Sequence, residues 1–178
     1  LNKIRRSEIE ALGDIGKFFM SNGKFDMASR VYAKWTDFEP KSPTPWCNLG
    51  ASLYRQRKSE DAKTVLEYAV ELDPSFYMAR INLGGVYQEL KLTKQGLVNA
   101  LETVKLNPTH PLAHNNLGSA LVDLGMSADA KEAFKTALIL DPHNEHALMN
   151  IGKMCSNSGD IDGAVEYYEK VLKMQLEI

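Results

Sequence analysis

The four histidines of this 178-residue chain stand in two pairs, His110 with His114 and His143 with His146. Spacings of four and three can place two imidazoles on one helix face, an arrangement that can grip a divalent metal. Pro111 follows His110, however, so the first pair straddles a turn, and no cysteine or acidic cluster reinforces either pair. Neither a metal nor any other cofactor is expected; solvent-facing turn histidines are. The two cysteines, Cys47 and Cys155, lie 108 positions apart with no C-x-x-C. They indicate neither a zinc site nor a disulfide framework, and a reducing compartment is the default. The sequence holds no glycine-rich phosphate loop, no nucleophile elbow and no strand to carry either, so catalysis is not expected. The remaining candidate chemistry is a column of amides: Asn48, Asn82, Asn116 and Asn150 recur every 34 residues, with Asp14 at the same interval before them. Asn costs roughly 0.5 kcal/mol against Ala inside a helix, so propensity does not explain the column. One acceptor and two donors per side chain can bond both the C=O and the N–H of an extended peptide without reading its sequence. The same amide can also tie one helix to its neighbour, and both readings stand.

The elements that position these residues follow from the same period. Pro40, Pro74, Pro108 and Pro142 recur every 34 residues, as do Gly16, Gly50, Gly84, Gly118 and Gly152. Five units result, residues 9–42, 43–76, 77–110, 111–144 and 145–178, with residues 1–8 as a lead-in. Within a unit the apolar spacing is helical twice over. Trp46, Leu49, Gly50 and Leu53 line a first helix, and Ala62, Leu66 and Ala69 a second, which Pro74 terminates. Gly at the eighth position of each unit costs up to ~1 kcal/mol in a helix and needs a compensating close contact. Ala28, Ala62, Ala130 and Ala164 on the second helices are the expected mates. Large residues, including Phe19, Tyr32, Trp46, Leu66, Tyr87, Phe134 and Tyr168, are expected to fill the remaining gaps, with stacked neighbours completing the core.

Composition limits the function classes. With 21 Lys+Arg against 23 Asp+Glu, the formal charge of −2 argues against a nucleic-acid partner. No apolar run approaches a membrane span and no signal-peptide h-region follows the first residues, so a cytoplasmic protein is expected. The chain opens on Leu1 rather than Met, as a piece of something longer would.

The pattern W-x2-L-G-x2-Y, then A-x3-F-x2-A, then P, resembles the tetratricopeptide repeat family over 170 of the 178 residues. The resemblance implies an all-α fold, a right-handed α-solenoid of five helix-turn-helix repeats. Its first helices would turn positions 2, 5, 6, 9, 12 and 13 of each unit toward a concave groove. On that placement Asn48, Asn82, Asn116 and Asn150 face a ligand, with Cys47 and Asn115 beside them. Met78, Ile81, Leu112 and Met149 offer apolar patches, and Ala51, Gly85 and Ser119 leave room for a ligand backbone. The groove charges nearly cancel, with Glu10, Asp14, Glu89 and Asp123 against Lys17, Arg55 and Lys153. The column is similar to the asparagine ladder of O-linked N-acetylglucosamine transferases and SPINDLY-type proteins. The basic residues with which some family members clamp a chaperone carboxylate are absent: position 5 reads Gly13, Cys47, Ile81, Asn115 and Met149.

The function these features imply is a non-catalytic scaffold holding an extended peptide or helix of a partner protein in the groove. Two alternatives are the recognition arm of a larger enzyme such as a protein O-glycosyltransferase, and a secretion-type chaperone. Leu176 stands where a fifth proline would be, and Val165, Val171 and Leu172 are expected to leave an apolar C-terminal face open. Self-association or continuation of the chain would cover it.

Overall fold

The computed structural model describes residues 2–176, with side chains from Arg6 onward; Leu1 of the lead-in and residues 177–178 of the fifth repeat lie outside the described residues. Among the described residues there are ten helices and no strand. They are α1 (Asn2–Ser21), α2 (Phe25–Phe38), α3 (Pro43–Arg55), α4 (Ser59–Leu72), α5 (Tyr77–Glu89), α6 (Thr93–Leu106), α7 (Pro111–Asp123), α8 (Ser127–Leu140), α9 (Glu145–Ser158) and α10 (Ile161–Leu176). None of the helices searched is long and apolar enough to cross a membrane. The chain divides into two compact units, Leu1–Lys91 and Leu92–Ile178. In the first, each helix packs on the next from α1 to α5, and α3 also lies beside α5. In the second the same succession runs from α6 to α10, with α7 also touching α9.

The prolines set the helix ends. Glu39, Asp73, Asn107 and Asp141 each precede one, and each has left the helical region, with φ between −131° and −145°. Side chains then fasten the turns. Asp73 Oδ1 accepts from the Ser75 N–H at 2.9 Å and its hydroxyl at 2.6 Å, bonds that hold the Asp73 carboxyl below its usual range. Position 4 supplies a second fastening. Trp46 Nε1 donates to the Pro40 carbonyl at 3.0 Å, Arg80 Nε to that of Pro74 at 3.2 Å and His114 Nε2 to that of Pro108 at 2.7 Å. Three unlike side chains thus do one job, and His114 is committed to its turn through Nε2.

Within each repeat the turn between helices passes through a left-handed residue at position 15: Gly23, Arg57, Lys91, Gly125 and Gly159, with φ from 59° to 81°. That geometry lets the following residue reach back: the Lys24, Lys58, Met126 and Asp160 amides bond the carbonyls of Phe19, Leu53, Leu121 and Cys155 at 2.8–3.1 Å. Arg57 and Lys91 hold this conformation without the freedom glycine gives.

The glycines at position 8 do permit close approach, but their mates are at position 24 rather than the expected alanines. A Cβ on Gly118 would lie 2.5 Å from Phe134 Cε1, and one on Gly152 2.8 Å from Tyr168 Cε1. Gly16 faces Tyr32 and Gly50 faces Leu66 in the same way. The alanines, Ala28, Ala62, Ala130 and Ala164, are buried too, yet it is the large side chain that lies against the glycine. In the second unit Phe134 is fully buried with Leu121, Ala130, Ile151 and Cys155 around it. At the C-terminal end Val165 and Leu172 are exposed as expected, whereas Val171 is buried.

Candidate protein-binding faces

In the first unit α5 lies beside α3 and reaches it through its position-6 amide. Asn82, half-buried on α5, donates Nδ2 to Cys47 Sγ on α3 at 3.3 Å. Cys47 is therefore not a groove residue: it is buried, and loss of solvation pushes its thiol up to about 11, with the Asn82 bond pulling weakly the other way. A thiol so held is neutral and unreactive at neutral pH. Ile81, expected to line the groove, is also buried. Asn48 sits half-buried on α3.

The open part of this face is polar with an apolar rim. Met78 is exposed. Arg57 pairs with Glu89 at 3.5 Å, and the Arg55 guanidinium lies 4.5 Å over the Phe25 ring. Tyr54 sits close to these charges. Burial raises its hydroxyl's pKa, Glu89 adds to the rise, and Arg57 and Arg55 oppose it. The space beside Gly85, read from the sequence as room for a ligand, belongs to Tyr54, whose Oη lies 3.1 Å from where a Gly85 Cβ would be.

The second unit repeats the amide arrangement. Asn150 on α9 donates Nδ2 to Asn115 Oδ1 on α7 at 3.0 Å and lies 3.4 Å from Ser119 Oγ. Asn115 and Ser119 are buried, so neither is available to a ligand. Asn116 and Leu112 are half-buried on α7, and Met149 and Lys153 are exposed on α9. In both units, then, a position-6 asparagine ties its helix to position 5 of the preceding first helix. The donor side of the amide is turned inward, and no hydrogen bond among the described residues uses the carbonyl oxygen of Asn82 or Asn150.

Position 11 borders a cleft in the fifth repeat. Position 11 carries Phe19, Leu53, Tyr87 and Leu121 in the first four repeats and Cys155 in the fifth. An open cleft of about 410 Å³ lies there, lined by Val122, Lys131, Ile151, Met154, Cys155, Ser158 and Asp160 among others. Cys155→Leu is expected to raise stability by about 1 kcal/mol, read as a higher denaturant midpoint at unchanged slope.

Comparison with known proteins bears on the family and the fold. The family model for the tetratricopeptide repeat matches residues 47–93 and 115–175. The peroxisomal targeting signal receptor of Candida glabrata is 30% identical over 95 residues, covering 50% of this chain and 16% of that protein. The TPR repeat-containing protein MJ1428 of Methanocaldococcus jannaschii is 27% identical over 160 residues, 88% of this chain and 28% of that protein. The chain thus spans less than a third of the length of either relative. Among solved structures, a thermophilic TPR protein of Thermus thermophilus superposes with a TM-score of 0.85 at 18% identity, over 93% of this chain and 90% of that one. MamA 41-end from Desulfovibrio magneticus RS-1 gives 0.74 at 24% identity, over 96% of both chains. These likenesses fix the fold class as an α-solenoid of helix-turn-helix repeats.

Proposed function

Because the chain belongs to the tetratricopeptide repeat family, we propose that it is a non-catalytic scaffold holding an extended segment of a partner protein against the faces of its first helices. The observation that carries this reading is the orientation of Asn82 and Asn150. Each spends its amide N–H on the neighbouring helix and keeps its carbonyl for an incoming N–H. An amide pinned in this way has already lost its rotational freedom, so a ligand hydrogen bond costs less entropy than one to a free side chain. Exposed Met78 and Met149 supply adaptable apolar contact beside the two amides. The likeness to a protein named as a receptor for a targeting signal supports recognition of a protein segment.

A random peptide library displayed on phage and selected on the immobilised chain supplies the probe. An enriched peptide should bind Asn82→Ala about three- to tenfold more weakly, the worth of one hydrogen bond of ~0.5–1.5 kcal/mol. Cys47→Ala, which keeps the acceptor but frees it to rotate, should weaken binding too, but by less than Asn82→Ala does. Equal losses in the two variants, or no change in either, would mean that Asn82 serves only to join helices.

A further inference from the structure

Each second helix turns positions 22 and 25 outward, three residues apart on one face. In α2 these are Arg30 and Ala33, in α4 Thr64 and Glu67, in α8 Glu132 and Lys135, and in α10 Glu166 and Glu169. All are exposed but Glu67, which is half-buried. A first helix packs on each of α2, α4 and α8 and still leaves these positions largely in solvent. The face is thus one that an adjoining repeat does not cover, wherever it stands in the array. On α6 the same two positions hold Val98 and Leu101, 63% and 52% exposed.

Charge sets α6 apart in the same place. Lys94 and Lys105 lie four residues before Val98 and four after Leu101, on the same stripe, and both are exposed. The other second helices spend a basic side chain on an acid of their own: Arg30 on Asp26 in α2, Lys63 on Glu67 in α4, Lys135 on Glu132 in α8 and Lys170 on Glu166 in α10. Lys94 and Lys105 form no ion pair among the described residues. Glu102 is the one acid of α6, and it is half-buried. The stripe from Lys94 to Lys105 is about 16 Å long, roughly three helical turns. Two unpaired ammonium groups therefore bracket an apolar centre, the plan of a small docking face with its charges at the rim.

We infer that this face of α6 is a second docking surface, one that receives an acidic amphipathic helix of a partner protein. Apolar side chains of that helix cover Val98 and Leu101, and its carboxylates reach Lys94 and Lys105. Charge decides the occupant. A basic or neutral helix would bury the apolar pair but leave both ammonium groups unanswered. A lipid surface is read by clusters of roughly four to eight basic residues, and α6 offers only Lys94 and Lys105. Nucleic acid would answer the lysines and set the apolar pair against phosphate. The surface lies on a second helix, so it is independent of the peptide-binding reading and uses neither asparagine.

A phage library of helix-forming peptides, selected on the 178-residue chain and counter-selected on its Val98→Glu/Leu101→Glu variant, supplies the probe. Counter-selection removes peptides that bind the first-helix faces, which the variant keeps. Both substitutions alter exposed side chains, so far-UV circular dichroism should be unchanged. Survivors should combine Asp or Glu with an apolar pair. A synthetic survivor should bind Lys94→Glu/Lys105→Glu at least about tenfold more weakly than the parent, and added salt should weaken its binding to the parent. Its counterpart with every Asp and Glu replaced by Lys should prefer the Lys94→Glu/Lys105→Glu variant to the parent. Survivors without an acidic excess, or acidic survivors indifferent to the lysine variant, would overturn the inference. So would a selection that yields none. Phosphatidylserine vesicles that retain the parent and release Val98→Glu/Leu101→Glu would overturn it too, making the face a lipid contact.

Discussion

Phe134→Ala should lower the stability of the second unit by about 3–5 kcal/mol, the cost of deleting a fully buried ring and leaving its cavity. The ring packs among Leu121, Ala130, Ile151 and Cys155, with Leu117 and Tyr168 against the same cluster. Its removal also strips Gly118 of the contact that compensates for a glycine inside α7. Far-UV circular dichroism is the measure to use, because both tryptophans, Trp35 and Trp46, lie in the first unit and would report poorly on the second. A loss below about 1 kcal/mol would mean that the site collapses around the missing ring.

Gly118→Ala should be destabilising in the parent chain by about 1–2 kcal/mol, although alanine is the better helix former. Overpacking at a filled core position costs ~1–3 kcal/mol, and the propensity gain returns no more than ~1 kcal/mol. The new methyl would stand 2.5 Å from Phe134 Cε1 and 2.7 Å from Cδ1, inside any real carbon contact. In the Phe134→Ala background the obstruction is gone, and the same substitution should become stabilising. That reversal of sign is a coupling energy a double-mutant cycle reads directly. Additive effects would show that the glycine is kept for some reason other than the ring.

These two residues also show how far the sequence carries. The 34-residue period placed the helix pairs and the turn before each proline, because glycine and proline act through backbone geometry that side-chain context does not override. It did not reveal which side chain lies against Gly118. Ala130 and Phe134 are one helical turn apart on the same face, and a repeat pattern marks both positions without saying which one reaches across. The left-handed position 15 was half-visible in Gly23, Gly125 and Gly159, and hidden by Arg57 and Lys91 in the same place. The donors to the proline carbonyls were hidden differently: Trp46, Arg80 and His114 share a geometry but no residue type, so no recurrence announces them.

At the candidate site the column of asparagines was legible and its orientation was not. Asn82 and Asn150 find their partners 35 residues back, at Cys47 and Asn115, in a contact between two helices that neither helix's own spacing encodes. Ile81, Cys47 and Asn115 read as groove residues because position 5 borders the first-helix face. In the structure that position is where one repeat packs on another, and all three are buried.

The most direct measurement of the central claim is an amide-to-ester scan of a selected peptide, each backbone N–H replaced in turn by oxygen. An ester removes the donor that an asparagine carbonyl would accept while leaving the side chains in place. At one or more positions the ester should weaken binding to the parent chain about tenfold, worth ~1.4 kcal/mol, and should cost almost nothing against Asn82→Ala or Asn150→Ala. An affinity indifferent to every ester, or a loss that persists undiminished in both asparagine variants, would contradict recognition of an extended backbone by these amides.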